Sequence, residues 1–529
     1  MNDELDDVAG LIADARSLYS RDHSSIGTLD ELDARLREPL RLALAGIVKA
    51  GKSTLLNALL GEQIAPTDAG ECTKVVTWYR YADTPSITLH PHDGPSRRLP
   101  IRRVAGQLVI DMDATSADEV ERIDIGWPAP VLKSVILIDT PGIASLSSDV
   151  STRSLDFLTP SDAPSSADAI VYLMRHLHPS DLGFLEAFRD TAAGASQTVN
   201  AVGMLSRADE IGSGRIDSLL SAGKVASRYE RDGELARLVL GVVPVAGLLA
   251  EGARTLRESE FRAFRTLANC DRGIRERLLI SADRFTAPTG DLALDAGTRR
   301  QLLNRFGLFG VRLAVSLIRA GAPDSEQLAA QLIEHSGLVE LRDVIDRRFQ
   351  SRAATLKIRA VLDGLERLLD AAPRPGDEQV RAGIERIRAA AHGLRELSLL
   401  SRAQVSGLGL PDGLSAEAVR IVGGDGLDAA SRLGLGEAAD PSSGQLRRQV
   451  ASAIDSWRIQ AMSPLLNRPG VDACRIVIRS LDQIASGLAT DTGDLAQPAA
   501  DIVAPGGPAD GRRQIADQQR ERDGYDLAG

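Results

Sequence analysis

The run Gly46-Ile47-Val48-Lys49-Ala50-Gly51-Lys52-Ser53-Thr54 decides the fold of this chain. It matches the pattern G-x-x-x-x-G-K-S, the phosphate-binding P-loop. The apolar residues 40–45 predict a buried strand before it, and residues 54–60 predict a helix after it. Backbone N–H groups of such a loop close around the β-phosphate, and the helix N-terminus adds positive potential. The residues expected around the phosphates are Gly46, Val48, Lys49, Ala50, Gly51, Lys52, Ser53 and Thr54.

Two side chains of this loop and one further motif have expected roles at the phosphates. Lys52 should reach the β- and γ-phosphates, and the Ser53 hydroxyl should bind Mg²⁺. A predicted buried strand ends in the motif D-T-P-G, in which Asp139 should hold Mg²⁺ through water. The N–H of Gly142 should sense the γ-phosphate, so the next segment is predicted to be a switch. Because Ile143 follows, no side-chain amide is available there to position the attacking water.

A polar, glycine-containing loop at 66–73 precedes a predicted strand at 74–79. In GTPases, one threonine of such a loop closes over Mg²⁺ and the γ-phosphate and orients the attacking water. Thr73 is the first candidate for this magnesium-binding and catalytic role, and Thr67 is the second.

The base is expected to be read by a degenerate form of the guanine motif N/T-K-x-D. Ser206-Arg207-Ala208-Asp209 follows a predicted strand at 199–205, which is the place of that motif. Asp209 can accept hydrogen bonds from guanine N1 and N2, which adenine does not supply. Ser206 replaces Asn or Thr, and Arg207 replaces Lys, although its stem can still stack over a base. The sequence therefore predicts guanine rather than adenine.

The last predicted strand, at 238–245, is followed by Ala246 and Gly247, whose backbone N–H groups are expected near the base. Strands alternate with helices, and phosphate, metal and base residues stand at successive strand ends. This pattern predicts an α/β fold, a P-loop GTPase domain with a doubly wound mixed sheet at 40–285.

Almost all of the remaining chain is predicted to be helical. Residues 1–39 predict amphipathic helices that pack on the helical region at the other end of the chain, and residues 286–494 predict an elongated all-α bundle, a neck and trunk. The segment from Leu338 to Leu369 predicts one helix of roughly thirty residues, about 45 Å long. Residues 495–529 are predicted to be a disordered tail.

Composition limits the classes of function. The chain has 529 residues and a net charge of −11, which argues against a general nucleic-acid binder. Its three cysteines show no metal spacing and suit reduced thiols in the cytoplasm. We find no run of roughly 18 apolar residues, since the stretch from Leu308 to Ile318 is short and contains Arg312. Any membrane contact is therefore expected to be peripheral.

These motifs resemble the bacterial dynamin-like proteins, including the mycobacterial isoniazid-inducible dynamin-like GTPases. The likeness is carried by residues 46–61 and by the segment 336–342, Ser-Gly-Leu-Val-Glu-Leu-Arg, which looks like the entry to the family's neck. The resemblance implies hydrolysis of GTP to GDP with Mg²⁺, self-association through GTPase domains, and binding or remodelling of membranes at the inner face of the plasma membrane. It also implies anionic lipids and a paralogous dynamin-like protein as partners, with no nucleic acid.

The chain departs from the family pattern at Lys49, where many dynamins carry a serine that helps to neutralise charge in the transition state. Lys49 either supplies positive charge for catalysis or is simply solvated. Two other classes of function stay open. One is a slowly hydrolysing scaffold subunit of a hetero-oligomer, favoured by the degenerate base motif. The other is a ribosome- or RNA-directed GTPase, which the acidic balance disfavours.

Two turns are candidates for membrane attachment. They are the apolar loop at 405–410 and the turn Pro373-Arg374-Pro375. In the first, Leu408 and Leu410 either pack inside the bundle or contact lipid.

Overall fold

A computed structural model describes most of the chain, namely residues 2–66, 75–104, 107–112, 115–142, 157–158, 165–193, 200–212, 214–231, 234–289, 293–405, 407–435 and 442–490. The predicted tail, Thr67 and Thr73, and the segment after Gly142 lie outside these residues.

The nucleotide domain is built on a nine-stranded mixed sheet in the order β11-β10-β9-β1-β8-β2-β7-β3-β4. The strands β11 to β8 in this order run parallel, β2 is antiparallel to β8, and the far edge is antiparallel from β7 to β4. The predicted doubly wound mixed sheet is therefore confirmed. The strands are β1 Leu40–Gly46, β2 Val76–Tyr81, β3 Ser86–Pro91, β4 Arg97–Leu99, β5 Arg102–Val104, β6 Gln107–Val109, β7 Val120–Trp127, β8 Val135–Asp139, β9 Ala169–Met174, β10 Ala201–Ser206 and β11 Val242–Val245. Strands β5 and β6 form a separate hairpin.

Strand β1 lies between β8 and β9 and separates two hydrophobic cores. Its Leu42 and Leu44 face one core, while Ala43 and Ala45 face the other. A strand with both faces buried reads as a continuous apolar run, as residues 40–45 do. The carboxyl ends of β1, β8 and β10 meet at one edge, where the motifs follow.

Most of the other described residues lie in helices. The α-helices are α1 Asn2–Leu18, α2 His23–Arg37, α3 Lys52–Leu60, α4 Pro179–Ala193, α5 Ser218–Arg231, α6 Gly247–Arg254, α7 Glu258–Asn269, α8 Arg272–Leu278, α9 Ala282–Thr286, α10 Ala296–Ala320, α11 Ser325–Glu334, α12 Leu338–Arg348, α13 Ala353–Ala371, α14 Asp377–Ala390, α15 His392–Val405, α16 Asp412–Ile421, α17 Ala429–Leu433, α18 Ser443–Ala461 and α19 Arg468–Thr490.

Helices α6 to α11 share a third hydrophobic cluster beside the sheet. The predicted domain boundary at residue 285 falls inside α9, and Phe285 is buried in this cluster. Helix α10 has the length and mean hydropathy of a membrane span, yet its Leu302, Phe306 and Phe309 lie in the same cluster. The helix is also broken at Gly307, where the backbone is non-helical.

The predicted single helix from Leu338 to Leu369 is wrong. Helix α12 ends at Arg348, and a 3₁₀ turn at Gln350–Arg352 separates it from α13. Phe349 is fully buried at the break, together with Leu341 and Ile345 of α12, in the core beneath the sheet. The break allows α12 to pack on the nucleotide domain while α13 packs elsewhere.

The N-terminal helices pack against α13 and α14, which belong to the helical region after the nucleotide domain. Val8, Leu11 and Leu29 share a fourth cluster with residues of those helices. The Tyr19 hydroxyl donates a hydrogen bond of 2.6 Å to the Ala372 carbonyl. Residues more than three hundred positions apart therefore complete one core.

Helices α15 to α19 enclose a fifth cluster, which decides between the two interpretations of the loop at 405–410. Leu408 is only 2% exposed and belongs to this cluster, and Leu410 packs against it. These leucines stabilise the bundle and do not form an exposed membrane contact. The second candidate turn packs on the N-terminal helices, since Arg374 lies over the Tyr19 ring and pairs with Asp22.

Candidate nucleotide-binding site

The P-loop connects β1 to α3 and depends on two glycines with positive φ. Gly46 has a φ of 148°, and a Cβ placed on it would lie 2.3 Å from the Leu173 carbonyl oxygen of the neighbouring strand. Gly51 has a φ of 97° and precedes the first residue of α3, Lys52. Only glycine suits both positions, because side chains there would clash or strain the backbone.

Lys52 lies folded over its own loop. Its ammonium group donates a hydrogen bond of 3.1 Å to the Gly46 carbonyl oxygen. Burial lowers the pKa of Lys52, and the nearby carboxylate of Asp139 opposes that shift. The amino group is therefore held close to the loop that would receive phosphate.

The two predicted magnesium ligands within the described residues are in contact. The Ser53 hydroxyl donates a hydrogen bond of 3.0 Å to Oδ2 of Asp139. The other carboxylate oxygen, Oδ1, is buried and has no partner among the described residues. Burial raises the pKa of Asp139, while Lys52 and the Ser53 hydroxyl lower it. Since a buried oxygen without a partner is costly, this pair fits a divalent cation or its water shell.

The D-T-P-G motif is anchored against the P-loop. The Thr140 hydroxyl donates to the Leu44 carbonyl oxygen at 2.8 Å. A Cβ on Gly142 would lie 2.8 Å from Cα of Val48 and 2.5 Å from its Cγ2. The glycine is needed here because the two loops touch through their backbones.

The base motif also contacts the P-loop. Arg207 and Lys49 are the two non-glycine residues with positive φ in the described part of the chain, at 52° and 64°. Arg207 Nη2 donates to the Lys49 carbonyl oxygen at 3.4 Å, and Nη1 donates to Glu210 at 2.9 Å. The Ser206 hydroxyl donates to the Met174 carbonyl oxygen. Arg207 thus joins the phosphate end of the site to the base end.

Asp209 follows directly and is 9% exposed. Burial raises the pKa of its carboxyl to about 6, and Glu210 adds to this rise while Arg207 opposes it. Gly307, at the break in α10, lies beside the carboxylate: a Cβ on Gly307 would be 3.4 Å from Oδ2 of Asp209. The sequence interpretation missed Gly307, although a glycine inside an apolar helical pattern was a visible signal.

The predicted backbone donors after β11 are only partly available. The N–H of Ala246 donates a hydrogen bond of 2.9 Å to the Ser336 carbonyl oxygen, so it does not point toward a base. Gly247 is the first residue of α6. A Cβ on it would lie 3.7 Å from Cγ2 of Thr54, so this turn borders the P-loop helix.

Comparison with known proteins agrees with this geometry. A model of the dynamin family matches residues 42–181. The chain is 43% identical over 459 residues to isoniazid-induced protein IniC of Mycobacterium tuberculosis, strains CDC 1551 and H37Rv, covering 87% of this chain and 92% of the relative. The chain belongs to the dynamin family of GTPases. The expected resemblance to the isoniazid-inducible dynamin-like proteins is confirmed.

Other members of the dynamin family match shorter parts of the chain. Bacterial dynamin-like protein of Nostoc punctiforme is 31% identical over 30% of this chain and 24% of its own length. Isoniazid-induced protein IniA of M. tuberculosis is 33% identical over 24% of this chain and 21% of its own length. A solved structure of an oligomerised bacterial dynamin pair aligns with a TM-score of 0.30 and 12% identity, over 93% of this chain and 75% of its own. Family membership makes this protein a GTP hydrolase.

Proposed function

We propose that this dynamin-family protein binds GTP with Mg²⁺ at the P-loop and hydrolyses it to GDP. The observation that carries the proposal is the contact between Ser53 and Asp139, which leaves one buried carboxylate oxygen without a partner. The chemistry that a bound magnesium ion would supply is positive charge against the charge that develops on the phosphates. Ser53 and Asp139 would hold it, and Thr73 is proposed as the third contributor.

The remaining roles follow from charge and position. Lys52 would bind the β- and γ-phosphates, since it is already held over the P-loop. Lys49 is exposed at the rim of the loop, and its side chain would supply positive charge during transfer. Gly142 would sense the γ-phosphate, because it touches the P-loop at Val48. Asp209 would read guanine through its N1 and N2 hydrogens.

Turnover of GTP and ATP by the purified protein, with Mg²⁺ and with EDTA, tests this proposal. We expect Mg²⁺-dependent release of phosphate from GTP and little from ATP. Lys52→Ala should lose nucleotide binding, because the phosphates lose their buried cation. Thr73→Ala should bind GTP but turn over slowly. Equal binding of ATP and GTP would contradict the role of Asp209, and normal turnover by Thr73→Ala would move its role to Thr67.

We further propose that the protein acts at the inner face of the plasma membrane, where it binds anionic lipid peripherally and associates with itself through its GTPase domains or with a paralogous dynamin-like protein. The support for lipid contact is the end of α18 and the turn that follows it, which together carry three exposed apolar side chains: Ile459, Met462 and Leu465. Arg458 and Arg468 flank it. Apolar side chains beside basic ones suit the boundary between acyl chains and anionic headgroups.

A further inference from the structure

Helix α10 is interrupted directly opposite the carboxylate of Asp209. Gly307 has a φ of 65° and a ψ of 172° inside a helix that otherwise runs from Ala296 to Ala320. This combination of dihedral angles is essentially restricted to glycine. Such a break forfeits helical hydrogen bonds, and it persists only where the surroundings over-determine it, which is common at ligand sites.

The helix after the break is tied to Gly214, which follows the base motif at a distance of five residues from Asp209. Arg312 lies on α10 just after the break, and its Nη1 donates to the Gly214 carbonyl oxygen at 2.5 Å. Its other nitrogens donate to the carbonyl oxygens of Leu279 and Ile280. Burial lowers the pKa of Arg312 from its usual value, but its guanidinium has carbonyl partners on two separate loops. Arg312 therefore connects α10 to Gly214 and to the end of α8.

Gly307 presents no side chain to the carboxylate of Asp209. A Cβ on Gly307 would be 3.4 Å from Oδ2 of Asp209 and 3.8 Å from Cδ2 of Leu248. That is van der Waals contact with the oxygen that would receive a guanine hydrogen. A methyl group there would compete with the ligand for the same side of the carboxylate. Asp209 is itself buried, so little room remains on its other sides.

We propose that residue 307 forms the second wall of the guanine pocket, and that it must be glycine for Asp209 to accept hydrogen bonds from the base. Gly307 is thus a positioning and specificity residue contributed by a helix outside the P-loop motifs. This inference rests on the proposed role of Asp209 in reading guanine. The break in α10 keeps side-chain atoms away from the position of the base, and it makes no contact with phosphate.

Gly307→Ala tests the proposal, with Gly321→Ala as a matched control. Gly321 ends the same helix with a φ of 119°, and a Cβ on it would meet nothing within 4 Å. Both substitutions strain the backbone, but one of them alone approaches Asp209. We expect Gly307→Ala to weaken GDP binding about tenfold or more and to leave pyrophosphate binding unchanged, since a good hydrogen bond to a charged group is lost. Gly321→Ala should bind both as wild type does. Equal GDP affinity in the two variants would overturn the proposal.

If Gly307→Ala does not fold, amide hydrogen exchange of the wild-type protein tests the role of Gly307 instead. GDP, but not pyrophosphate, should slow the exchange of amides at 305–309. Protection by both ligands, or by neither, would overturn the proposal. Comparing the affinities for GDP and ADP distinguishes a failure of the role proposed for Asp209 from a failure of the role proposed for Gly307. A wild type that does not prefer GDP contradicts the role of Asp209 itself, whereas a preference that survives Gly307→Ala contradicts only the role of Gly307.

Discussion

At the scale of single residues, Asp209 couples nucleotide recognition to pH. Burial raises the pKa of its carboxyl from 3.8 to about 6 in the folded protein. A group with a raised folded pKa stabilises the fold fully below its unfolded pKa and loses that contribution as pH rises through the folded value. The stabilising contribution of the Asp209 carboxyl is therefore lost between about pH 4 and about pH 6. Above it, the buried ionised carboxylate destabilises the nucleotide-free protein.

Asp209→Asn should therefore stabilise the nucleotide-free protein at pH 7.5. We expect a gain of about 1 to 3 kcal/mol in the free energy of unfolding, from a pKa difference of about two units. The gain should shrink as pH is lowered toward 4, where the wild-type carboxyl is protonated in both states. Urea unfolding at pH 4.5 and 7.5 measures it. A gain of the same size at both values would mean that the carboxyl does not titrate as described.

Guanine binding should require the ionised form of the Asp209 carboxyl, whereas the protonated form stabilises the nucleotide-free protein. Asp209 must be ionised to accept both guanine hydrogens, so GDP affinity should fall by up to about tenfold per pH unit below pH 6. Asp209→Asn should bind GDP weakly at every pH and should bind xanthine nucleotides better than wild type does. Fluorescent nucleotide titrations from pH 5 to 8 measure this, with the exposed Asp217→Asn as a control. If the variant keeps the wild-type slope, the titrating group is another one.

At the scale of residues, the sequence allowed site residues to be predicted wherever a motif follows a predicted strand. Lys52, Ser53, Asp139 and Asp209 could be named because parallel strands bring their carboxyl ends to one edge. Their roles stay predictions. Gly307 could not be predicted as a site residue, because its contact with Asp209 depends on how α10 packs. The spacing of residues along the chain does not indicate that packing. The N–H of Ala246 was misjudged for the same reason, since its partner Ser336 is distant in sequence.

At the scale of elements, the turn between α18 and α19 exposes two large apolar side chains. Met462 is 75% exposed and Leu465 is 93% exposed. Met462→Ser with Leu465→Ser should weaken binding to vesicles of anionic phospholipid by at least about tenfold, because each apolar side chain contributes roughly 1.5 to 3 kcal/mol when buried. Co-sedimentation measures the binding, and circular dichroism and GTP turnover should stay unchanged.

The control for this prediction is Ile216→Ser with Leu220→Ser. Both residues are exposed apolar side chains of the nucleotide domain, outside the P-loop and base motifs. If the control variant loses vesicle binding and the turn variant does not, the lipid contact lies on the nucleotide domain. If neither variant changes the binding, the attachment is made by other residues or by a partner.

Helix existence was largely predictable, whereas helix continuity was not. Residues 338–369 have the apolar spacing of one helix, and neither proline nor glycine interrupts them before Gly364. The chain nevertheless breaks at Phe349, because α12 must cover the sheet while α13 must cover the N-terminal helices. Tertiary packing overrides local propensity here. The burial of Leu408 stayed an open alternative for a related reason. An apolar loop that packs inside a bundle and one that contacts lipid can have the same sequence.

At the scale of the whole molecule, a buried ion pair joins the N-terminal helices to the sheet. Arg35 of α2 pairs with Asp168 at 2.6 Å, just before β9, and both side chains are buried. Arg35 also donates to the Ser165 carbonyl oxygen at 2.7 Å, and Asp168 accepts the N–H of Arg41. The pair therefore connects a helix, a strand and the segment that leads into it.

Arg35→Ala should lower the free energy of unfolding by about 3 to 5 kcal/mol, because it leaves the Asp168 carboxylate buried without its cation. The matched control is Arg37→Ala on the same helix, which breaks the exposed pair with Asp33. That change should cost less than about 1 kcal/mol. Urea unfolding of both variants measures the difference. Similar losses in the two variants would mean that α2 contributes through helix content alone.

The overall assembly was predictable in outline. Amphipathic helices before a nucleotide domain need an apolar partner, and the helical region at the other end was the available one. Which helices meet could not be inferred, because every amphipathic helix of the chain offers a similar stripe. The contact of Leu11 with Gly383 of α14 and the hydrogen bond of Tyr19 to Ala372, just after α13, are set by shape, which one sequence does not display.

The packing of α1 and α2 on α13 and α14 has a consequence during synthesis on the ribosome. Tyr19 and its partner Ala372 are 353 residues apart. At bacterial elongation rates of about 5 to 20 residues per second, the first two helices wait roughly 20 to 70 s for the segment that covers them. The entire nucleotide domain is translated in the interval. The apolar faces of α1 and α2 thus emerge before the nucleotide domain and are covered only after it, which makes them a natural target of a chaperone on the nascent chain.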